Sequence, residues 1–396
     1  MRHCLSYVGN NSGVALITGL VIMVLLTGIG TYAINMTEIE ETLSANLKAS
    51  KQAFYIADAG IEWGRQQIGA SLALPPVPAA ATQTLNAGNY AGNYTVTFPN
   101  FFPALPAYEY TVMVHSVGNV GNASKTLQAL VTKTFDLSDA AIAMRGNEAH
   151  SRFTGSAFLV DGRDYDHLTG TLTARAPQLG ISVPSISLES MVEGALAANQ
   201  KDRVKGLDGT ATNPSVGVST ALTSSTITAI ANALCPALAQ SYTPISGDIK
   251  ISGNKAYGSN ASPQITCFDG LGTPGAMGVD LSGDISGSGI LIVKNADLVA
   301  SGNFSYNGLI IVTGNKVGFG MIGGGKKDVY GSVLINETNW DGSSYKELVL
   351  TGNSSVMRSQ SALAMAKQLL PAATLAGIIP GLPSSTQRVS WMEVNN

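Results

Sequence analysis

Apolar positions run unbroken near the front of the chain. From Val14 to Ala33 there is no charged residue and no proline, and the first acid or base after Arg2 and His3 is Glu38. At ~1.5 Å per residue, about 20 helical residues cross a bilayer core. The apolar core of a cleaved signal peptide is shorter, about 7–15 residues. Nor does the pattern stop at a turn. It continues into "MTEIEETLSANLKASKQAFYIADAGIEWGRQQIG", where Leu47, Phe54, Ile61 and Ile68 recur every seven residues and Ile39, Leu43 and Leu47 every four. That spacing draws one apolar stripe along a helix. The pattern predicts a single helix over 14–69, roughly 80 Å long. Its first part, about 14–36, is membrane-soluble, and its second part lays a stripe on something else. With Arg2 and His3 flanking the front, the orientation expected is N-in, C-out.

Residues 70–92 are rich in Pro and Ala and read as a linker. The pattern then switches to period two. Tyr94, Val96 and Phe98 alternate, as do Tyr108, Tyr110, Val112 and Val114, and then Leu127, Ala129 and Val131. Three strands over 93–136 joined by tight turns make a small antiparallel sheet. One face needs cover, and the helix stripe supplies it.

From about 137 the texture changes again. "GSAFLV" (155–160), "GILIV" (289–293), "GLIIV" (308–312) and "GSVLI" (331–335) are short apolar strands, each led by glycine. "SGN" recurs at 252–254 and 301–303, and "TGN" at 313–315 and 351–353. A repeat of about 20 residues with Gly/Asn corners predicts a parallel β-helix or β-solenoid, with a β-sandwich as the alternative. A helical insertion is expected over about 185–240 and a C-terminal helix over about 361–371. "GMIGGGKKD" (320–328) reads as a hairpin turn, and Trp391 in "VSWMEV" as a packing residue. The fold class is α+β: a long N-terminal helix on a small antiparallel sheet, followed by a mostly β, solenoid-like domain over 137–396.

Composition adds a little. Only 12% of the 396 residues are charged, 44 are glycine, and mean hydropathy is +0.18. A net charge of −3 gives no case for nucleic-acid binding, which needs clustered Lys and Arg. Of three cysteines, Cys4 precedes the apolar run; Cys235 and Cys267 are left as either a disulfide or two separately buried thiols.

The stretch "GVALITGLVIMVLLTGIGTYA…EIEETLSANLKASKQAFYIADAGIE" resembles the N-terminal domain of PilX-type minor pilins. These share a G-x-ALI start, a Glu-Glu pair, a nearby Asn and an AF-x-x-A-[DE]-AG run, here Gly13, 15–17, Glu40 and Glu41, Asn46, and 53–60. The resemblance covers about residues 9–68. It implies a leader over 1–13 cut by a prepilin peptidase between Gly13 and Val14, with methylation of the new terminus. It implies the inner membrane and then the pilus surface as location. Implied partners are other minor pilins, the major pilin and a tip adhesin. Glu40, Glu41 and the Leu47/Phe54/Ile61/Ile68 stripe would serve assembly. Two departures stand out. The leader has no Lys or Arg close to Gly13. And Thr18 sits fifth after the cut, where major pilins resemble one another in having glutamate. A buried carboxylate in lipid needs a partner charge, whereas threonine hydrogen-bonds its own helix. Without that charge the subunit fits the end of a filament better than its repeat. Gly19, Gly28 and Gly30 admit either close helix packing or plain tolerance in a lone span.

The densest polar cluster is "VDGRDYDHLTG". Asp161, Asp164 and Asp166 are the oxygen ligands that Ca2+ takes, without the EF-hand spacing. They also suit a solvated corner that caps backbone N–H groups, or the paired carboxylates of glycoside cleavage. No GxSxG, HExxH or phosphate loop occurs, so no enzyme and no required cofactor are expected. The function expected is a minor pilin or pilin-like protein that primes or caps a type IV pilus or pseudopilus. The alternative is a single-pass β-helix adhesin or polysaccharide-acting enzyme.

Overall fold

The computed structural model describes residues 12–71, 78–87, 90–103, 109–210, 212–271, 278–339, 346–371, 382 and 384–394. The leader, apart from residues 12 and 13, lies outside them.

One helix, Ser12–Ala70, runs through 59 residues without a break. Its C-terminal third lies on a six-stranded antiparallel sheet. The strand order is Ala81–Ala87, Tyr90–Thr97, Glu109–Val120, Ala123–Phe135 and Ser384–Val394, with the short Phe101–Pro103 pairing alongside Glu109–Val120. Two of these strands correct the sequence reading. Ala81–Ala87 falls in the span read as linker, where its Thr and Gln residues hide the alternation. Ser384–Val394 falls in the span given to the second domain, yet pairs with Ala123–Phe135 from Ser384↔Phe135 to Val394↔Thr126.

The helix seats a row of Ala and Ile against the sheet. Ala53, Ile56, Ala57, Ile61 and Ile68 are buried against Val96, Val112, Val114, Leu127, Ala129 and Val131. A Cβ on Gly118 would come 2.3 Å from the Ala53 carbonyl oxygen, and one on Gly60 would come 2.2 Å from the Ser116 hydroxyl. Glycine at both places lets helix and sheet backbones approach closely.

The rest of the chain builds two parallel sheets, one of 12 strands and one of six. From Ile249 onward the chain visits them alternately. Ile249–Ile251, Gly278–Leu281, Asp297–Ala300, Phe319–Met321 and Leu348–Thr351 stack in the smaller sheet. The longer strands Asp284–Lys294, Asn303–Gly314 and Lys327–Glu337 stack in the larger. The three glycine-led motifs meet in register, Gly289↔Gly308↔Gly331. Each of these glycines has positive φ, between 117° and 144°. A Cβ on Gly308 would sit 2.0 Å from the Gly289 carbonyl oxygen, and one on Gly331 1.8 Å from that of Gly308. No L side chain fits that bend.

The apolar runs after these glycines are continuous because both faces are buried. Leu291, Val293, Ile310, Val312, Val333 and Ile335 fill the space between the sheets. Ile290, Ile292, Leu309, Ile311 and Leu334 point outward, under the helices Ser224–Leu234 and Gln360–Lys367. Those helices, with Ile186–Ala195 and the 3-10 turn Ala198–Arg203, occupy the spans read as helical insertion and C-terminal helix.

Two motif readings change. "GSAFLV" is half a strand out of step with the other three: Leu159–Asp161 pairs with Ser354–Arg358, and Ala140–Met144 takes the place beside Val333–Ile335. "GMIGGGKKD" is a corner between the two parallel sheets rather than a hairpin. Buried Lys327 closes it, Nζ donating to the carbonyls of Gly323, Gly324 and Gly325 at 3.3, 2.7 and 3.2 Å.

The chain enters this stack in the middle. Ser151–Thr154 and Leu159–Asp161 lie against the last strands, Leu348–Thr351 and Ser354–Arg358. It runs out to one end at Val216–Val218, crosses through the Ser224–Leu234 helix, and restarts at the other end with Ser241–Ile245. A Cys235–Cys267 disulfide ties that helix to the Gln264–Gly270 strand, with Cα atoms 5.9 Å apart.

Candidate assembly helix and its junction with the two sheet modules

Among the described residues, the front of the long helix packs against no other element. Leu16, Ile17, Leu20, Met23, Ile29 and Tyr32 are all more than 60% exposed. Over Leu16–Ala70 the most apolar window has a mean hydropathy of 2.0, enough in length and composition to cross a membrane. Threonines in and beside the span turn their hydroxyls onto the helix itself. Thr27, Thr31 and Thr37 donate to the carbonyls of Met23, Thr27 and Ala33 at 2.8, 2.9 and 3.0 Å. That satisfies each donor internally, as an apolar surrounding requires. Around Gly19, Gly28 and Gly30 a Cβ would meet nothing within 4 Å; Gly19 and Gly30 share one side of the helix and Gly28 lies opposite.

Of the residues singled out for assembly, the structure divides the stripe. Ile61 and Ile68 are buried and Phe54 is half-buried, but Leu47 is 57% exposed. The sheet begins to cover the helix near Ala53, where Gly118 abuts it, and Leu47 lies before that edge. Glu40 and Glu41 stand exposed on the uncovered helix, and Thr18 is likewise exposed. Gly13 and Val14 are helical, one and two residues from its start.

Several groups that seat the helix carry no sequence signal. Lys133, fully buried, reaches from the sheet to the end of the helix. Its Nζ donates to the carbonyls of Ile68, Gly69 and Ser71 at 3.0, 2.9 and 2.6 Å. These are the acceptors a helix C-terminus leaves unpaired. Burial pulls the lysine pKa down. The return strand grips the other flank. Arg388 pairs with Asp58 at 2.9 Å, Arg65 donates to the Thr386 hydroxyl at 3.2 Å, and Trp391 meets Phe54 edge-on at 5.9 Å. Trp391 thus packs on one side while staying 51% exposed. Its strand was missed because Arg, Ser and Glu interrupt the alternation.

Polar contacts line the junction: Asp136 links the two modules, while Asp139 ties segments within the second. Asp136 accepts from Gln360 Nε2 at 2.5 Å and from Lys367 Nζ at 3.2 Å. Asp139 pairs with Arg145 at 2.6 Å, with both side chains at least 90% buried, and accepts from Ser182. Burial lowers the Arg145 pKa, and Asp139 opposes that shift.

The three aspartates considered for Ca2+ part company. Asp161 is held by Arg163 at 2.6 Å and by the Tyr165 hydroxyl at 2.8 Å. Asp164 accepts from the Gln360 N–H and the Thr173 hydroxyl, both at 2.6 Å. Asp166 caps its own turn through the N–H groups of Leu168 and Thr169, which hold its pKa below the usual carboxylate value. Among the described residues no group of three His, Cys, Asp or Glu side chains converges to hold a metal ion. The cluster is a set of corner and junction contacts.

An apolar helix, free over its front two-thirds and fixed over its last third on an antiparallel sheet, is the arrangement of pilin-like, type IV pilus-related proteins, and residues 12–62 match the family model described as PilX N-terminal. That match lies within the long helix. Among solved structures, the competence-associated pilin ComZ from Thermus thermophilus is similar at 12% identity, over 87% of this chain and 98% of that one, with a TM-score of 0.22. At that score the likeness says nothing about shared architecture. No curated protein matches the sequence.

Proposed function

We propose that this chain is a minor pilin that primes assembly or caps the filament, carrying its parallel-stacked domain at the tip. The observation that carries the reading is the uncovered helix front with Thr18 in it. The front is apolar and free of charge as far as Glu38, so it can sit in lipid or among other apolar helices. It offers no carboxylate to draw a neighbouring subunit's terminal amine. The other minor pilins and the major pilin are the partners this surface fits. A prepilin peptidase cutting after Gly13 would leave Val14 as the new terminus, and the inner membrane would hold the subunit before assembly.

The bulk of the second domain supports an end position. It extends over most of the chain after residue 139 and is fixed to the helix module by the Asp136 contacts with Gln360 and Lys367. Mass spectrometry of membrane-extracted protein is expected to show a methylated Val14 terminus; an intact Met1, or a cut after Ala33, rules the reading out. Immunogold labelling of filaments is expected to mark ends. Labelling spread along the shaft would overturn the cap. Thr18→Glu is expected to move some label from the ends into the shaft.

A further inference from the structure

The outer surface of the stack is not uniform. The half of the long strands after the glycine bends is apolar and covered by two helices, as described above. The half before the bends is polar and uncovered. There, successive rungs stack short side chains, mostly polar: Asn254, Asp284 and Asn303 in one row, and Ala256, Ser286, Ser305 and Asp328 in the next. Between these rows runs a groove of about 620 Å3, with buried Ile285 and Phe304 in its lining.

We propose that this groove binds a linear, neutral polysaccharide lying along the stack axis. Three observations select that ligand. The first is charge. Lys255 and Lys326 balance Asp284 and Asp328 in the lining, and Lys326 is held by Asp328 at 2.7 Å. A balanced groove gives a polyanion such as nucleic acid no electrostatic attraction. The second is the kind of polar group. Ser286, Ser305 and Asn303 each both donate and accept, as sugar hydroxyls do. The amides are already oriented: Asn303 Nδ2 donates to Asp284 at 2.7 Å, and its Oδ1 accepts from the Lys326 N–H at 2.9 Å. The third is the repeat. Rungs recur every ~4.8 Å, so short polar side chains are presented at a step close to one sugar ring. Among the described residues the groove's lining includes no exposed large apolar side chain of the kind that anchors protein partners.

This assignment rests on the display role proposed above, but its test does not pass through assembly. Full-length protein in detergent is titrated calorimetrically with linear neutral hexasaccharides of glucose, galactose and N-acetylglucosamine, and separately with a uronic acid hexamer and a single-stranded oligonucleotide. Saturable binding of at least one neutral sugar is expected. It should weaken at least tenfold in Ser305→Trp, which fills the groove, and in Asn303→Ala, which removes its central amide. Arg152→Ala, on the outer face of the other sheet, should bind as the parent does. Circular dichroism melts confirm that each variant is folded. The proposal is overturned if no neutral sugar binds, if both groove variants bind unchanged, or if the polyanions bind in preference. Any of those results leaves the terminus and labelling tests standing, and failure of those tests leaves the groove standing.

Discussion

The two sheet systems solve the problem of cover in opposite ways, and glycine marks the difference. In the antiparallel sheet one face is packed and the other half-open, so apolar residues alternate along Glu109–Val120. Its glycines, Gly60 and Gly118, are spacers between a helix and a sheet that could be set slightly further apart. In the parallel stack both faces of "GLIIV" are buried and the alternation vanishes. Its glycines, Gly289, Gly308 and Gly331, meet backbone of the next rung, whose distance is fixed by hydrogen bonds at ~4.8 Å and cannot relax. The same residue type is thus adjustable in one module and mandatory in the other.

The sharpest way to break that contrast is Gly308→Val. It combines positive φ with backbone collision on a neighbouring rung, and is expected to destabilise the stack by about 4 kcal/mol or more. Denaturant melts followed by near-ultraviolet dichroism would record it; a loss under 1 kcal/mol would show that the rungs can part. Next in size is Gly118→Ala, expected at about 3 kcal/mol because the obstacle is the helix backbone at Ala53. Gly28→Ala, where nothing lies within 4 Å, should leave the same melt unchanged.

A further effect, below that of Gly118→Ala, reads the stack by pH. Glu347, 1% exposed in the stack, has its pKa pushed up from 4.5 to about 8, first by burial and then by Glu337 and Glu148. Between those two values the folded chain holds a proton that the unfolded chain has lost. Stability therefore falls as pH rises through that window. Glu347→Gln is expected to flatten the slope and stabilise the protein at pH 8 by about 2 kcal/mol. An unaltered slope would place the titration elsewhere.

How much of this could be read from residues alone follows the same contrast. Period-two alternation exposed three strands of the sheet, and the glycine-led runs exposed three rungs, because each pattern is imposed by burial. The long helix was legible for the same reason. What escaped were contacts between segments distant in sequence. Lys133 looks like any polar residue on a strand, and only the fold brings it to Ile68, Gly69 and Ser71. Ser384–Val394 declares itself through pairing to a strand some 250 residues earlier rather than through its own pattern. Leu47 shows the converse: its spacing is right, but where the sheet stops cannot be read from the helix. The aspartates of "VDGRDYDHLTG" look like one cluster in sequence and serve three different neighbours in space.

The pairing Ser384↔Phe135 has a mechanical consequence. The distal domain leaves the small sheet at the end of one strand and returns at the start of its neighbour, so it hangs as a loop from two adjacent points. Tension on whatever that domain grips divides between two covalent strands before it reaches the helix. From there it passes through Lys133 on one side and Arg388 with Arg65 on the other. A tether of this form resists torsion as well as pull, because twisting the load would have to shear two strands past each other.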